Sequence, residues 1–369
     1  MHLTAAFRSR PVCSLAVIAL AVLGGMALSG EPASLTHRTL AGVVYLAPSD
    51  GYPRNLVLTD LDSGNSVQLT EAEDGVEDFA VSPDGSQIAY AHNDPDGTAD
   101  IWVLRLRDGV TYPVTNCVKA ICHAPAWKPD GSQIAYQRTE VGIGAAGTSA
   151  SRAWIVDLAT LQTRLLFDDP QILGAQPAWD PTGRRIAVFD DSEPGIRVHD
   201  FVTQSDTIIE SGQDVVGAFS PDGTRLVYPV LVRGALGQQF YTHLEMADLD
   251  ALTRTSLSGP DDAPVEDGSA VWSPDGTKLL VARRALDEHF TPGKQIVLLD
   301  VATGEVTPLV VDASYNHAGM GWDAAGRQIV FQRFSLVEEN ARPEVWVVDL
   351  HTGALRQVAE NAFLPAWVP

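Results

Sequence analysis

A five-residue turn recurs along this chain at intervals of 40–53 residues, and it constrains the fold more than any other feature. It reads Val81-Ser82-Pro83-Asp84-Gly85, Trp127-Lys128-Pro129-Asp130-Gly131, Trp179-Asp180-Pro181-Thr182-Gly183, Phe219-Ser220-Pro221-Asp222-Gly223 and Trp272-Ser273-Pro274-Asp275-Gly276. The degenerate Trp322-Asp323-Ala324-Ala325-Gly326 completes the series. Proline pre-sets φ at the first corner, Asp or Thr bonds the local backbone, and glycine takes the positive φ that ends the turn. Such a turn joins two antiparallel strands. A short β run follows each one, as in Gln87-Ile88-Ala89-Tyr90, Gln133-Ile134-Ala135-Tyr136 and Gln328-Ile329-Val330-Phe331. A third run comes next, such as Ile101-Trp102-Val103-Leu104 or Glu344-Val345-Trp346-Val347. It usually ends in an aspartate: Asp60, Asp157, Asp200, Asp248, Asp300 or Asp349. A glycine turn then leads to a fourth strand.

Four antiparallel strands per unit, with an aromatic at a fixed place, is the pattern of a propeller blade. A lone blade leaves both faces exposed, so the units must stack and the array must be closed or capped. The ends suggest how. The chain starts in mid-unit, with Val43-Val44-Tyr45-Leu46 as a second strand. Pro365-Ala366-Trp367-Val368-Pro369 at the other end copies Pro125-Ala126-Trp127-Lys128-Pro129. The reading is an all-β, seven-bladed propeller over 31–369, closed by the C-terminal strand pairing with the N-terminal blade, which removes the free edges. The Ser-Pro-Asp-Gly turn, its preceding aromatic and the following Ile-Ala-Tyr resemble the TolB-like family of WD-like propeller repeats across 40–369. That resemblance implies the propeller alone, without the N-terminal α/β domain of TolB. Propellers of the family also precede serine-peptidase domains; no Gly-x-Ser-x-Gly elbow occurs here, so none is expected.

The formal charge of −22 excludes a nucleic-acid partner, which needs a basic footprint, and disfavours an anionic membrane surface. Residues 1–30 read as a signal peptide or N-terminal membrane anchor: Arg8 and Arg10 precede an uncharged apolar run from Val12 to Leu28. The expected location is therefore secreted or periplasmic. In an oxidising compartment Cys117 and Cys122 read as a disulfide that clips one loop; Cys-x4-Cys-His is not a recognised zinc spacing.

Propeller topology sorts the loops. The first-to-second and third-to-fourth connections are uniformly tight. The second-to-third connections, at 91–100, 137–152, 189–195, 229–242, 282–294 and 332–343, are long and varied, and they share a face with the links between blades. Variable loops on a rigid scaffold are where function is expected. Just past the second strand, one register on that face holds His92, Arg138, Asp190, Val230, Arg283 and Arg333. His92, Arg138, Arg283 and Arg333 are the candidate ligand-binding residues at the channel mouth, suited to a carboxylate or phosphate; pairing with nearby carboxylates is the alternative. Asp94 to Asp100 has the flavour of a calcium loop, but a hairpin turn explains it equally. His92, His123, His289 and His317 fall on the same face without metal-ligand spacing. No cofactor or metal is expected, nor a need for oligomers.

These residues favour an exported, non-catalytic binding or scaffolding protein that recognises a protein, peptide or envelope component. A small-molecule or glycan sensor is the alternative, followed by a metal-assisted lyase or hydrolase at the channel mouth.

Overall fold

Alternating burial along short β runs is what lets sheets form and then stack. In the computed structural model, which describes residues 42–143, 147–193, 195–233 and 240–368, every regular element is a strand. The segment read as a signal or anchor lies outside the described residues. Pairing gives five four-stranded antiparallel sheets and one of nine strands. The first sheet runs Phe363–Val368, Gly42–Ala47, Asn55–Thr59 and Ser66–Gln68, so the last strand of the chain opens the sheet that its first strand continues. Gly42 pairs with Val368 and Val44 with Ala366.

The nine-stranded sheet differs from the separate blades expected. It contains a second quartet, Val76–Val81, Gln87–Asn93, Ala99–Arg105 and Val110–Pro113, and a third, Ala120–Trp127, Gln133–Ile143, Arg152–Asp157 and Thr163–Leu165. A single parallel pair, Ala99 with Ile121, fuses them. The cause is local: Thr115 and the Cys117 amide both bond Asp100, which draws the connecting segment against the second quartet. Cys117 and Cys122 are joined as a disulfide in the same segment. The fourth to seventh quartets open with Ala175–Trp179, Ala218–Phe219, Val265–Trp272 and Tyr315–Trp322 and run in chain order.

The core lies between sheets. Val44, Leu46 and Leu58 of the first sheet pack with Ile88, Tyr90 and Leu104 of the second quartet. Leu280 and Ile296 of the sixth pack with Ile329 and Phe331 of the seventh. Val43 and Tyr45 meet Val330, Val345 and Val347, so the seventh quartet shares a core with the first sheet. Removing such side chains from water drives the stacking, at roughly 25 cal/mol per Å² of apolar surface.

The repeated aromatics add direction to that packing. The indole N–H of Trp127 donates to the Ala80 carbonyl at 3.0 Å, Trp272 to Ala218 at 3.0 Å, Trp322 to Val271 at 3.3 Å and Trp367 to Gly321 at 3.0 Å. Each indole thus reaches the opening strand of the preceding quartet. Trp179 departs from this rule: it stacks on Phe201 at 5.3 Å, and its N–H is buried without a partner.

The opening strands also bulge. Registers shift between His123 and Ala126, between Ala175 and Ala178, and, where the last strand meets the first, between Phe363 and Ala366. The bulges put Ala124, Gln176 and Leu364 at φ near +50°. That conformation costs a side-chain-bearing residue roughly 1 kcal/mol or more and needs support from its surroundings. A side chain of the preceding quartet supplies it: Asp78 accepts the Ala124 N–H at 2.7 Å, Gln137 that of Gln176 at 3.1 Å, and Gln332 that of Leu364 at 2.8 Å.

Candidate functional site

The second-to-third connections leave each quartet at one end, and the four candidate residues lie near it on separate quartets. They sit inside the second strands Gln87–Asn93, Gln133–Ile143, Lys278–Ala285 and Gln328–Ser335 rather than just past them as the sequence suggested, because those strands run on beyond their apolar cores. The three arginines are each matched inside their own quartet. Arg138 donates to Glu140 at 2.7 Å and lies over the Trp154 ring at 5.0 Å. Arg283 makes a two-pronged contact with fully buried Asp267, both bonds at 2.7 Å. Arg333 donates to Glu344 at 2.7 Å and is held between the Tyr315 and Trp346 rings, each 3.9 Å away. His92 stacks on Trp102 at 4.9 Å, with its Nδ1 3.7 Å from the Asp94 carboxylate. The fourth quartet shows the same arrangement with charges exchanged. Its register residue is the buried Asp190, and Arg197 donates to it at 2.8 Å. Hydrogen bonds from Ser192 and Arg197 hold Asp190 below the usual carboxylate range against the opposing effect of burial, which is the largest single influence. The register therefore holds ion pairs that span strands in the fourth, sixth and seventh quartets, buried at Asp190 and Asp267, whereas Arg138 pairs with Glu140 along a single strand.

The Asp94–Asp100 segment is a hairpin turn. Asp96 accepts from the Thr98 amide at 3.0 Å and from its hydroxyl at 2.6 Å. The histidines do not converge. His123 lies 3.6 Å from Asp78, and His317 is fully buried. Among the described residues, one group of three metal-type donors lies within 4.8 Å: Asp287, Glu288 and His289, consecutive and exposed. Consecutive exposed donors lack the surrounding hydrogen-bond shell that orients ligands in a built metal centre.

Two cavities flank the long-loop end. One, of about 480 Å³, includes Thr70, Glu71, Tyr90, His92 and Trp102 in its lining. The other, of about 450 Å³, opens between the sixth and seventh quartets. Glu266, Ser269, Arg284, Lys294, Asn316 and His317 supply its polar lining. The sequence reading passed over Arg284 and Lys294. The only signal available was the presence of Gly268 and Gly293. A Cβ on Gly268 would meet the Lys294 Nζ at 2.7 Å, and one on Gly293 would meet the Tyr315 carbonyl at 2.5 Å. Gly268 leaves room for the lysine side chain of its own quartet, and Gly293 lets the loop lie flat on the seventh quartet.

No family model matches the chain. It is similar to dipeptidyl-peptidase 5 of Porphyromonas gingivalis, 23% identical over 374 residues, which covers 89% of this chain and 53% of that protein. The chain thus spans about half the length of that relative. Among solved structures, the β-propeller domain of the Trilobed protease from Pyrococcus furiosus superposes with a TM-score of 0.56 at 16% identity, over 76% of this chain and 82% of that one. An oligogalacturonate lyase in complex with manganese gives 0.59 at 16% identity, over 88% and 86%. The chain has a β-propeller fold. The expectation of a non-catalytic binding or scaffolding protein is corrected, because the similarity extends along most of the chain to a peptidase. Composition and turn motifs had no means of revealing this, since they report the scaffold and not its use. A manganese centre does not fit the donors present, because the histidines of the long-loop end are dispersed and the one three-donor group is an exposed loop.

Proposed function

We propose that this chain is the propeller of a peptidase-type enzyme and that its long-loop face receives the peptide. The observation that carries the reading is the alignment with a dipeptidyl peptidase along 89% of the chain. Exposed apolar side chains gather on the second-to-third connections: Tyr52, Leu231, Phe240, Phe290, Phe334 and Leu336. Scattered apolar residues are ordinary on a surface, but their gathering at one end of the sheets suits contact with peptide side chains. The tight-turn end also exposes Leu161, Val202 and Leu252, but these are aliphatic and isolated on single turns, whereas the aromatic rings lie on the long connections.

The same proposal includes a seven-bladed ring of TolB-like repeats closed by the last strand. The pairing of Phe363–Val368 with Gly42–Ala47, the core shared by the first and seventh quartets and the Trp367 bond to Gly321 support it. An exported, monomeric protein is part of the reading, with the disulfide in its favour. His92, Arg138, Arg283 and Arg333 then form the rim of the receiving face; the arginines open to a ligand only by exchange with the carboxylate that each already holds, whereas the Nδ1 of His92 has no hydrogen-bond partner.

The test is incubation of the protein, as its own cell produces it, with a library of short peptides, followed by mass spectrometry. Shortened peptides are expected, and peptides carrying a photoreactive group should label the second-to-third connections. A library returned intact, with label spread evenly over both ends of the sheets, overturns the proposal.

A further inference from the structure

The cavity between the sixth and seventh quartets has a chemistry unlike the rest of this acidic surface. Two cations, Arg284 and Lys294, face one carboxylate, Glu266, which is ion-paired with Arg284 and lies 3.6 Å from Lys294. One positive charge is left over, in a protein whose formal charge is −22. The three register arginines at this end, Arg138, Arg283 and Arg333, are each matched one-to-one by a carboxylate.

His317 lines the same cavity and is fully buried. Its Nδ1 lies 3.0 Å from the Lys294 carbonyl, which only accepts, so Nδ1 carries the proton. Burial, the largest influence, pulls the imidazole below its ordinary value and keeps it neutral, so Nε2 is a bare acceptor. That Nε2 has no hydrogen-bond partner in the protein, and neither does the buried Nε of Arg284. Leaving buried polar atoms unpaired is unfavourable, and a ligand able to satisfy them recovers that loss.

We propose that this cavity binds a carboxylate with a neighbouring N–H donor, the C-terminal group of a short peptide. Lys294 and Arg284 take the carboxylate, and His317 Nε2 accepts from the adjacent amide. The assignment rests on the peptide reading above and specifies which end of the peptide is held. The site is built rather than incidental. The Lys294 amide donates to the Asn316 side chain at 2.9 Å, and the His317 amide donates to the Lys294 carbonyl at 2.9 Å, so loop and sheet are stitched together. Gly268 leaves the space through which the lysine stem passes.

The test compares an N-acetylated, fluorescently labelled dipeptide with a free C-terminus against its C-terminal amide, by equilibrium binding to the full protein at low salt. The acid is expected to bind at least about tenfold tighter, the loss typical when a charged partner is removed from a desolvated site. Lys294→Met keeps the stem over Gly268 and should bring acid and amide to within about twofold. A peptide methylated on its last amide nitrogen should bind weakly to the native protein. Its deficit relative to the unmethylated acid should disappear in His317→Phe. Circular dichroism and melting temperature establish that each variant is folded. Equal binding of acid and amide by the native protein overturns the proposal, as does discrimination that persists in Lys294→Met. Displacement by glucuronate at lower concentration than by the unlabelled peptide also overturns it, by naming a sugar acid as ligand. A protein that cleaves the peptide library yet ignores the C-terminal carboxylate keeps the peptidase reading and loses this one.

Discussion

The two ends of the sheets are built on opposite principles. At the tight-turn end the same contacts repeat: Ser82, Ser220 and Ser273 each donate to the aspartate two residues on, at 2.7, 2.5 and 2.6 Å. Asp157, Asp300 and Asp349, closing the third strands, each accept from the next two or three backbone amides. At the long-loop end the charge partners differ from quartet to quartet, although His92, Arg138 and Arg333 each lie against a third-strand tryptophan, Trp102, Trp154 or Trp346. Arg283 reaches back to Asp267, Arg333 sits between two rings, and Asp190 exchanges charge with Arg197. Local hydrogen bonds fix a turn wherever it is placed, so that end can be copied. Charge pairs that span strands must be fitted one by one, and that is where chemistry can differ between sheets.

The contrast predicts that single changes at the long-loop end cost more. Asp267 is fully buried and takes both of its strong bonds from Arg283, with a further short bond from Ser258. Arg283→Met strands that carboxylate. It should lower unfolding free energy by about 3–5 kcal/mol in urea titration, whereas Asp267→Asn combined with Arg283→Met should recover part of the loss. If the single variant unfolds within ~1 kcal/mol of the native protein, the charge pairs of this end are not structural and the contrast fails. Replacing Cys117 and Cys122 together by serine should cost about 2 kcal/mol, because the bridge closes a short loop.

A finer comparison lies within the repeated aromatics. Trp272→Phe removes the N–H that bonds the Ala218 carbonyl, an expected loss of about 1 kcal/mol. Trp179→Phe removes an N–H that has no partner and should be close to neutral by the same measurement. Equal losses at the two positions would show that ring volume, not the bond to the neighbouring sheet, is what matters.

What the sequence disclosed follows the same division. The turns were legible because Pro, Asp and Gly act on their own backbone, and the strand runs because their period of two is local. The copy of Pro125-Ala126-Trp127 near the end of the chain pointed to the pairing now seen between Val43 and Trp367. The bulges were not legible. Ala124, Gln176 and Leu364 carry no mark of a left-handed conformation, and their support comes from Asp78, Gln137 and Gln332, at least 32 residues away in the chain. The register of candidate arginines lies inside the second strands rather than past them, and Asp267 lies 16 residues before Arg283 with no pattern to link them. The cavity around His317 joins a loop of one sheet to the opening strand of the next, a contact that periodicity within one unit does not reach.

The smallest expected effects lie in the turns, and they depend on pH. Hydrogen bonds from Ser220 and Thr224 hold the Asp222 carboxyl at about 2, and those from Lys128 and Ser132 do the same for Asp130. A folded-state value below the ordinary one means that the ionised form is favoured in the native state. The contribution is therefore complete above the unfolded value near 4 and lost as pH falls toward about 2. Both groups are largely solvated, so each is worth under about 1 kcal/mol after screening. Asp222→Asn should show that small deficit at neutral pH in urea titration, and the deficit should vanish by about pH 2. Arg283→Met should behave differently. Its deficit at neutral pH should be several times larger, because a buried carboxylate loses two bonds from its charged partner. If the two deficits are equal at neutral pH, the solvated turn aspartates and the buried pair belong to one electrostatic class, and the difference between the two ends is one of position alone.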